Sequence, residues 1–460
     1  MAAIRAAQLG ARVCLVEKEH IGGTCLNRGC IPTKALLHSA EEYLRAQNAH
    51  DLGIDFTGAI QLDFARVMQR KRDITKTLVE GTVQLLARHG IDVYDGFGAI
   101  TEPGRIRIAL SGQHGDGSSA AKSILCDKTI IATGSVPARL RIPGADLPGV
   151  LTSRELLDID HLPESMVVIG GSVVGIEFAT IFSAFGTRVK VLELERLLPT
   201  AEEKLAKRFK GTLRRQGIDA KVRVNCREIA QAKDGRLQVI YDERGKENAA
   251  DGEVVLLSTG RWPYTQGLGL DELGMTLDGR AIPVNEHMET SLPGVYAVGD
   301  CTGGYMLAHV AAYEGELAVE NAAGRCRAAD YTAVPNCIFT MPEIAAVGLT
   351  ERQCRERGLD YVVTSFPFRA NGRALILGEP DGQVRLICRR RDDGKGGRIL
   401  GMHIMGPHAS DLIAEGSLAL KLGATAQDVA TSIHAHPTLP ETVMEVAKAQ
   451  LDGAIHYYKR

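Results

Sequence analysis

Cys25 and Cys30, in the run Gly22-Gly23-Thr24-Cys25-Leu26-Asn27-Arg28-Gly29-Cys30, are two thiols whose spacing invites chemistry. On a straight helix, a rise of ~1.5 Å per residue would hold their Cα atoms about 7.5 Å apart, beyond the ~6.8 Å usual for a disulfide. An oxidised Cys25–Cys30 bond therefore requires distorted backbone. Gly29 is the permissive residue, and distortion makes a disulfide easier to reduce. Half of a zinc site and two unrelated buried thiols are the competing readings. Zinc would need a second ligand pair at comparable spacing, and none of the other eight cysteines pairs within five residues of another. Redox chemistry is the expectation.

The second constellation is His434-Ala435-His436-Pro437-Thr438-Leu439-Pro440-Glu441. In extended chain His434 and His436 point the same way, which makes a metal pair conceivable, but no third ligand is evident. The alternatives are a core histidine and a His436/Glu441 dyad. Pro440 can start a helix containing Glu441, whose carboxylate would orient an imidazole and raise its basicity. A thiol substrate needs such a base, because the thiolate is the nucleophile in disulfide exchange.

The third is a glycine loop, Gly170-Gly171-Ser172-Val173-Val174-Gly175, between a strand and a helix, with Glu193 ending the next strand. That context makes it a dinucleotide fingerprint. Ser172 replaces the middle glycine, where backbone approaches a pyrophosphate, although its hydroxyl is small and could itself bond a phosphate. Glu193 can accept from a ribose 2′-hydroxyl and would repel a 2′-phosphate, which favours NAD over NADP, with Arg196 close downstream as the opposing charge.

The elements that must carry these residues read as α/β. Fifty glycines and 5% aromatic residues in 460 suit a chain of parallel strands alternating with helices. Residues 2–9 read as a helix stopped by Gly10, and 12–17 as a buried strand ending in Glu17. A helix follows from Phe64 to His89, then strands to Ala132 and an exposed polar loop from Gln113 to Lys122. A second unit runs as a strand from Met166, a helix from Ile176 to Phe185 and a strand from Arg188 to Glu193. Two such units suggest two nucleotide sites. From Val334 short strands (CIFT, AAVGLT, QVRLICR, ILGMHIMG) precede helices from Asp411, an α+β pattern suited to assembly.

The first unit opens inside its helix at Met1-Ala2-Ala3-Ile4, so a strand and a G-x-G-x-x-G loop of roughly 15 to 20 residues are expected upstream. A start set too far downstream and a genuine, flavin-poor truncation compete as explanations. A transit peptide is a third reading of the basic, acid-free start. A formal charge of −2, from 54 basic and 56 acidic side chains, argues against nucleic acid. No apolar run is long enough to span a bilayer, and ten cysteines are too sparse for a disulfide scaffold. A cytoplasmic protein is expected.

GGTCLNRGCIPTK, ATGS at 132–135, GGSVVGIE at 170–177, TGRWP at 259–263, YAVGD at 296–300, MLAH at 306–309 and HAHPTLPE at 434–441 together resemble the dihydrolipoamide dehydrogenases, flavin disulfide oxidoreductases of the class I pyridine nucleotide family. The resemblance spans essentially the whole chain. It implies two Rossmann-like nucleotide-binding domains and a C-terminal α+β interface domain. Residues 1–140 would bind FAD, 141–262 NAD, 263–332 would complete the FAD site, and 333–460 would form a homodimer interface. Cys25 would exchange with the lipoyl dithiol and Cys30 would face the flavin. His436 would be the base, oriented by Glu441, across a two-fold interface. Glu17, Gly23, Thr24 and Lys34 would hold FAD, with Gly96, Thr133, Gly134, Ser135 and Asp300, and with Met306, Leu307, Ala308 and His309. Lys34 would pair Glu177 beside the flavin. Gly170, Gly171, Ser172, Val173, Val174, Gly175, Ile176 and Glu177, with Glu193 and Gly260, would hold NAD, and no metal is implied. The partner would be the lipoyl domain of a 2-oxoacid dehydrogenase or glycine cleavage complex. Mercuric reductases resemble the cysteine segment but usually end in an extra cysteine pair, where this chain ends IHYYKR. Glutathione reductases typically place basic residues where Glu193 sits.

Overall fold

The computed structural model describes residues 1–110 and 121–458. The polar loop expected at 113–122 lies mostly outside the described residues, and its last two members, Ala121 and Lys122, open the strand Ala121–Leu125.

Near the start, the helix Ala2–Gln8 ends at Leu9 and turns through Gly10 at φ +86°. The strand Cys14–Glu17 pairs in parallel with Asp92–Glu102, two residues shorter than the sequence suggests. Asp92–Glu102 then runs antiparallel to Arg105–Leu110, which pairs with Ala121–Leu125. The helix Phe64–Arg88 begins at the expected residue, where Asp63 accepts the Arg66 N–H at 3.0 Å as its N-cap.

The second unit is a five-stranded parallel sheet in the order Asp219–Val222, Arg188–Glu193, Ser165–Ile169, Val254–Leu257, Val150–Thr152. Its central strand SMVVI is buried throughout, which is why that segment reads as a continuous apolar run instead of an alternating one. The helix after it begins at Val173, three residues earlier than expected. The helix Glu203–Arg215 buries Leu205, Ala206, Phe209, Thr212 and Leu213, one stripe at 3.6-residue spacing, against the same core as Phe178 and Phe182.

Two short pairings carry the chain back to its beginning. Val295–Ala297 lies parallel to Thr129–Ile131, and Arg261–Pro263 lies antiparallel to Ser135–Pro137. They bring the 260s and the 300s against the turn at 133–135. The C-terminal part is a five-stranded antiparallel sheet in the order Asn336–Ile338, Glu343–Gly348, Gly396–Gly406, Gln383–Arg390, Tyr361–Pro367, covered by the helices Ala409–Leu422, Ala426–Thr431 and Glu441–Lys448. Four of its strands match the expected segments; the edge strand Tyr361–Pro367 was not foreseen.

Candidate functional site

The cysteine segment folds as two helices, Gly23–Arg28 and Cys30–Gln47, broken at Gly29. A Cβ at Gly29 would stand 3.0 Å from the Thr24 carbonyl oxygen, a tight contact that a side chain could make only by pushing the two helices slightly apart. The break replaces the straight helix that would keep the sulfurs apart. Both cysteines stand as unbonded thiols in the structure. Hydrogen bonding to Cys30, then burial, pushes the Cys25 thiol up. Hydrogen bonding from Cys25, with the Lys34 ammonium nearby, pulls Cys30 below an ordinary thiol against its own burial. The proton therefore sits on Cys25 and the charge on Cys30.

Lys34, one helical turn beyond Cys30, donates to both carboxylate oxygens of Glu177 at 2.9 and 2.8 Å and lies 4.5 Å from the Phe339 ring centroid. Glu177 is buried and also accepts the Phe339 N–H at 3.0 Å. Its carboxylate is thus committed to Lys34 and not to the nucleotide loop with which the sequence grouped it.

These residues wall part of a cavity of about 2310 Å³. Cys25, Cys30, Glu17, Gly23, Thr24, Lys34, Gly96, Thr133, Gly134, Ser135 and Asp300 line it, as do Met306, Leu307, Ala308 and His309. Gly23 and Gly134 take φ of +63° and +70°, and a Cβ at either would meet no protein atom within 4 Å, so open space lies beside both backbones in the cavity wall. Volume, wall glycines and the acid Asp300 fit the expected flavin. Sequence reasoning missed Arg261. Its guanidinium donates to the Ser135 hydroxyl at 2.7 Å and carbonyl at 2.8 Å, while Ser135 donates to Asp300. The only signal was a basic residue immediately after Gly260.

The glycine loop forms between the strand and the helix as expected. Gly170 has φ +108° and a Cβ there would fall 2.3 Å from the Ser258 carbonyl oxygen, while a Cβ at Gly175 would fall 2.4 Å from the Gly170 carbonyl oxygen. Glu193 accepts the Gly171 N–H at 2.5 Å and the Glu195 N–H at 2.7 Å, which fixes the acid beside the loop. Arg196 turns away to Glu203 (3.3 Å) and the Pro199 carbonyl, leaving Glu193 unopposed. The Ser172 hydroxyl donates to the Ser258 carbonyl at 2.9 Å. Ile176 is corrected as well. Its side chain is fully buried in the core under the sheet and cannot touch a cofactor. Val173 and Val174 line the cavity, and Gly260, at φ +123°, has open space beside it.

His436 and Glu441 form the expected dyad, Nδ1 to Oε1 at 2.9 Å, with the other carboxylate oxygen accepting the Thr438 N–H at 2.8 Å. Burial raises the Glu441 carboxyl, but the Thr438 amide and His436 outweigh it and hold the group below its usual range. Pro440 precedes the helix Glu441–Lys448, as its sequence suggests. His434 has a separate partner, Glu415 at 2.9 Å, so the two histidines do not converge. The dyad is not part of the cavity wall, and the His436 side chain is 80% exposed.

Residues 1–315 match the model of the pyridine nucleotide-disulphide oxidoreductases, and 334–447 match the dimerisation domain of the same proteins. A dihydrolipoyl dehydrogenase of Geobacillus stearothermophilus is 39% identical, over 99% of this chain and 94% of its own length. One from Bacillus subtilis is 40% identical, over 99% and 96%. Among solved structures, LpdA from Mycobacterium tuberculosis superposes with a TM-score of 0.87 at 26% identity, covering 97% of both chains. The HOCl-induced flavoprotein disulfide reductase RclA from Escherichia coli gives 0.84 at 28% identity, covering 97% of this chain and 96% of its own.

Proposed function

The chain belongs to the pyridine nucleotide-disulphide oxidoreductases, and from that premise we propose how its residues carry out flavin-dependent oxidation of dihydrolipoamide to lipoamide with reduction of NAD+ to NADH. The observation that carries the reading is the thiol pair at the helix break, which lines the cavity with Lys34 one turn beyond Cys30. It is an electron-pair store that opens on the cavity.

His436 takes a proton from one dihydrolipoyl thiol, and Glu441 holds the imidazole so that Nε2 faces outward and balances the charge that forms. The resulting thiolate attacks Cys25 in the oxidised pair, which breaks the Cys25–Cys30 bond and releases Cys30 as the thiolate. The second dihydrolipoyl thiol then closes on the first sulfur, its proton passes to the departing Cys25, and the mixed disulfide breaks to release lipoamide. Cys25 and Cys30 are then the dithiol, carrying the two electrons. When bound, FAD would supply the electron-relay chemistry between this dithiol and NAD+. Thr133 to Ser135, Asp300 and the 306–309 segment would hold FAD, with Glu17 at the ribose end, and the 170–175 loop with Glu193 would hold NAD. The exposed dyad, absent from its own chain's cavity wall, is read as completing the site of a second copy in a homodimer. A lipoyl domain of a 2-oxoacid dehydrogenase or glycine cleavage complex is the proposed electron donor. A cytoplasmic location belongs to the same reading, and among the described residues no helix is long and apolar enough to cross a membrane.

Turnover decides the assignment. NADH with lipoamide is expected to support rates far above NADPH with glutathione disulfide, and the reverse preference would overturn it.

A further inference from the structure

Ser172 occupies the N-cap of the helix Val173–Phe185, with φ −71° and ψ 176°, yet makes no side-chain capping bond. An N-cap serine ordinarily accepts the N–H of the second or third helical residue through its hydroxyl oxygen. At this helix those amides are the groups a pyrophosphate would occupy. A capping serine and a dinucleotide compete for the same donors.

Here the competition is removed by Ser258, at the end of the neighbouring strand. The Ser172 proton is committed to the Ser258 carbonyl at 2.9 Å, and the two hydroxyl oxygens lie 3.2 Å apart. With the Ser172 proton already used, the hydrogen between the oxygens comes from Ser258, and it occupies one of the two Ser172 lone pairs while the bond to the Ser258 carbonyl holds the hydroxyl away from the first-turn amides. Ser258 is itself fixed: it is buried, and its carbonyl and hydroxyl press on Gly170 and Gly175, where a Cβ would fall 2.3 and 2.9 Å away. We propose that Ser258 is a positioning residue for dinucleotide binding, which holds the Ser172 hydroxyl off the helix and so keeps the first-turn amides open to the pyrophosphate. This rests on the reading of the 170–175 loop as the NAD site, and explains how serine is accommodated where the fingerprint has glycine.

The test is NAD+ binding to the oxidised holoprotein, by calorimetric titration, for wild type, Ser172→Ala, Ser258→Ala and the double variant. Ser258→Ala removes the hydroxyl contact and leaves only the Ser258 carbonyl to hold the Ser172 side chain, so the Ser172 oxygen gains access to the first-turn amides, and the Kd is expected to rise about two- to tenfold, the range of one hydrogen bond. Ser172→Ala alone is expected within about twofold of wild type, since no cap can form. The double variant is expected to return to that level, a rescue that simple loss of packing at Ser258 would not produce. In turnover, Ser258→Ala is expected to raise KM for NAD+ with kcat and KM for dihydrolipoamide unchanged. Wild-type binding by Ser258→Ala, or a double variant as weak as Ser258→Ala, would overturn the inference. So would a tenfold loss in Ser172→Ala, which would put the hydroxyl on the phosphate. A wild-type protein that does not bind NAD+ would overturn the site itself.

Discussion

Within the thiol pair the proton's position is set by two neighbours of unequal weight. The hydrogen bond from Cys25 is the larger cause of the lowered Cys30 ionisation, and the Lys34 ammonium adds to it. In Cys25→Ala the Cys30 thiolate should therefore appear at higher pH than in the reduced wild type, read from thiolate ultraviolet absorbance. Lipoamide turnover should vanish, because one thiol cannot store an electron pair. An unchanged titration would mean that Lys34 alone sets the charge. For the base, His436→Gln should slow lipoamide turnover roughly 100-fold, the usual scale for a lost proton-transfer group, while dye reduction driven by NADH persists. Equal loss of both would mark the histidine as structural. The cysteines and the dyad were legible in the sequence because their chemistry demands particular types within a few residues. Arg261 and Ser258 were not, since their partners at Ser135, Asp300 and Ser172 are at least 39 residues distant on the side of Asp300 and further for the others.

Among elements, the two glycine-dependent junctions are the most sensitive. Gly29→Ala would put a Cβ against the Thr24 carbonyl, and the start of the second helix must then shift. The expected result is loss of lipoamide turnover with little change in far-ultraviolet dichroism. At Gly170 both φ (+108°) and the 2.3 Å approach of the Ser258 carbonyl oppose a side chain, so Gly170→Ala should cost about 1–3 kcal/mol of stability, measured by urea unfolding, and weaken NAD+ binding. Parallel buried strands such as SMVVI announce themselves as apolar runs. Tyr361–Pro367 does not: it is an edge strand, mostly half-buried, with only Phe366 fully inside, and its pattern is too weak to separate from loop.

Across the whole molecule, the parallel sheet and the C-terminal sheet are joined by buried charge. Arg385, on the C-terminal sheet, lies 2.8 Å from Glu351 and 3.6 Å from Glu202, which also caps the helix Glu203–Arg215. The Arg385 and Glu202 side chains are 6% and 2% exposed. Removing the cation in Arg385→Ala strands a buried carboxylate, and a loss of about 3–5 kcal/mol is expected, seen as a lower denaturant midpoint. Nothing in a local pattern reveals such a junction, because an arginine inside a strand reads as an outward residue. The return of Val295–Ala297 to Thr129–Ile131 was equally hidden, since it depends on which segments meet in space and not on either sequence alone.

The grip of Lys34 on Glu177 has a mechanical side. Cys30 and Lys34 share one helix, and Glu177 sits on the helix whose first turn forms the dinucleotide loop. The pair clamps two rods together, so the sulfur that stores electrons and the loop proposed for the nicotinamide carrier are held at a fixed gauge, as if on one chassis. Substrates can then arrive from different sides without any hinge opening between them. Crystal structures of the oxidised protein with and without NAD+ should superimpose through both helices, and small-angle scattering should record the same envelope before and during turnover.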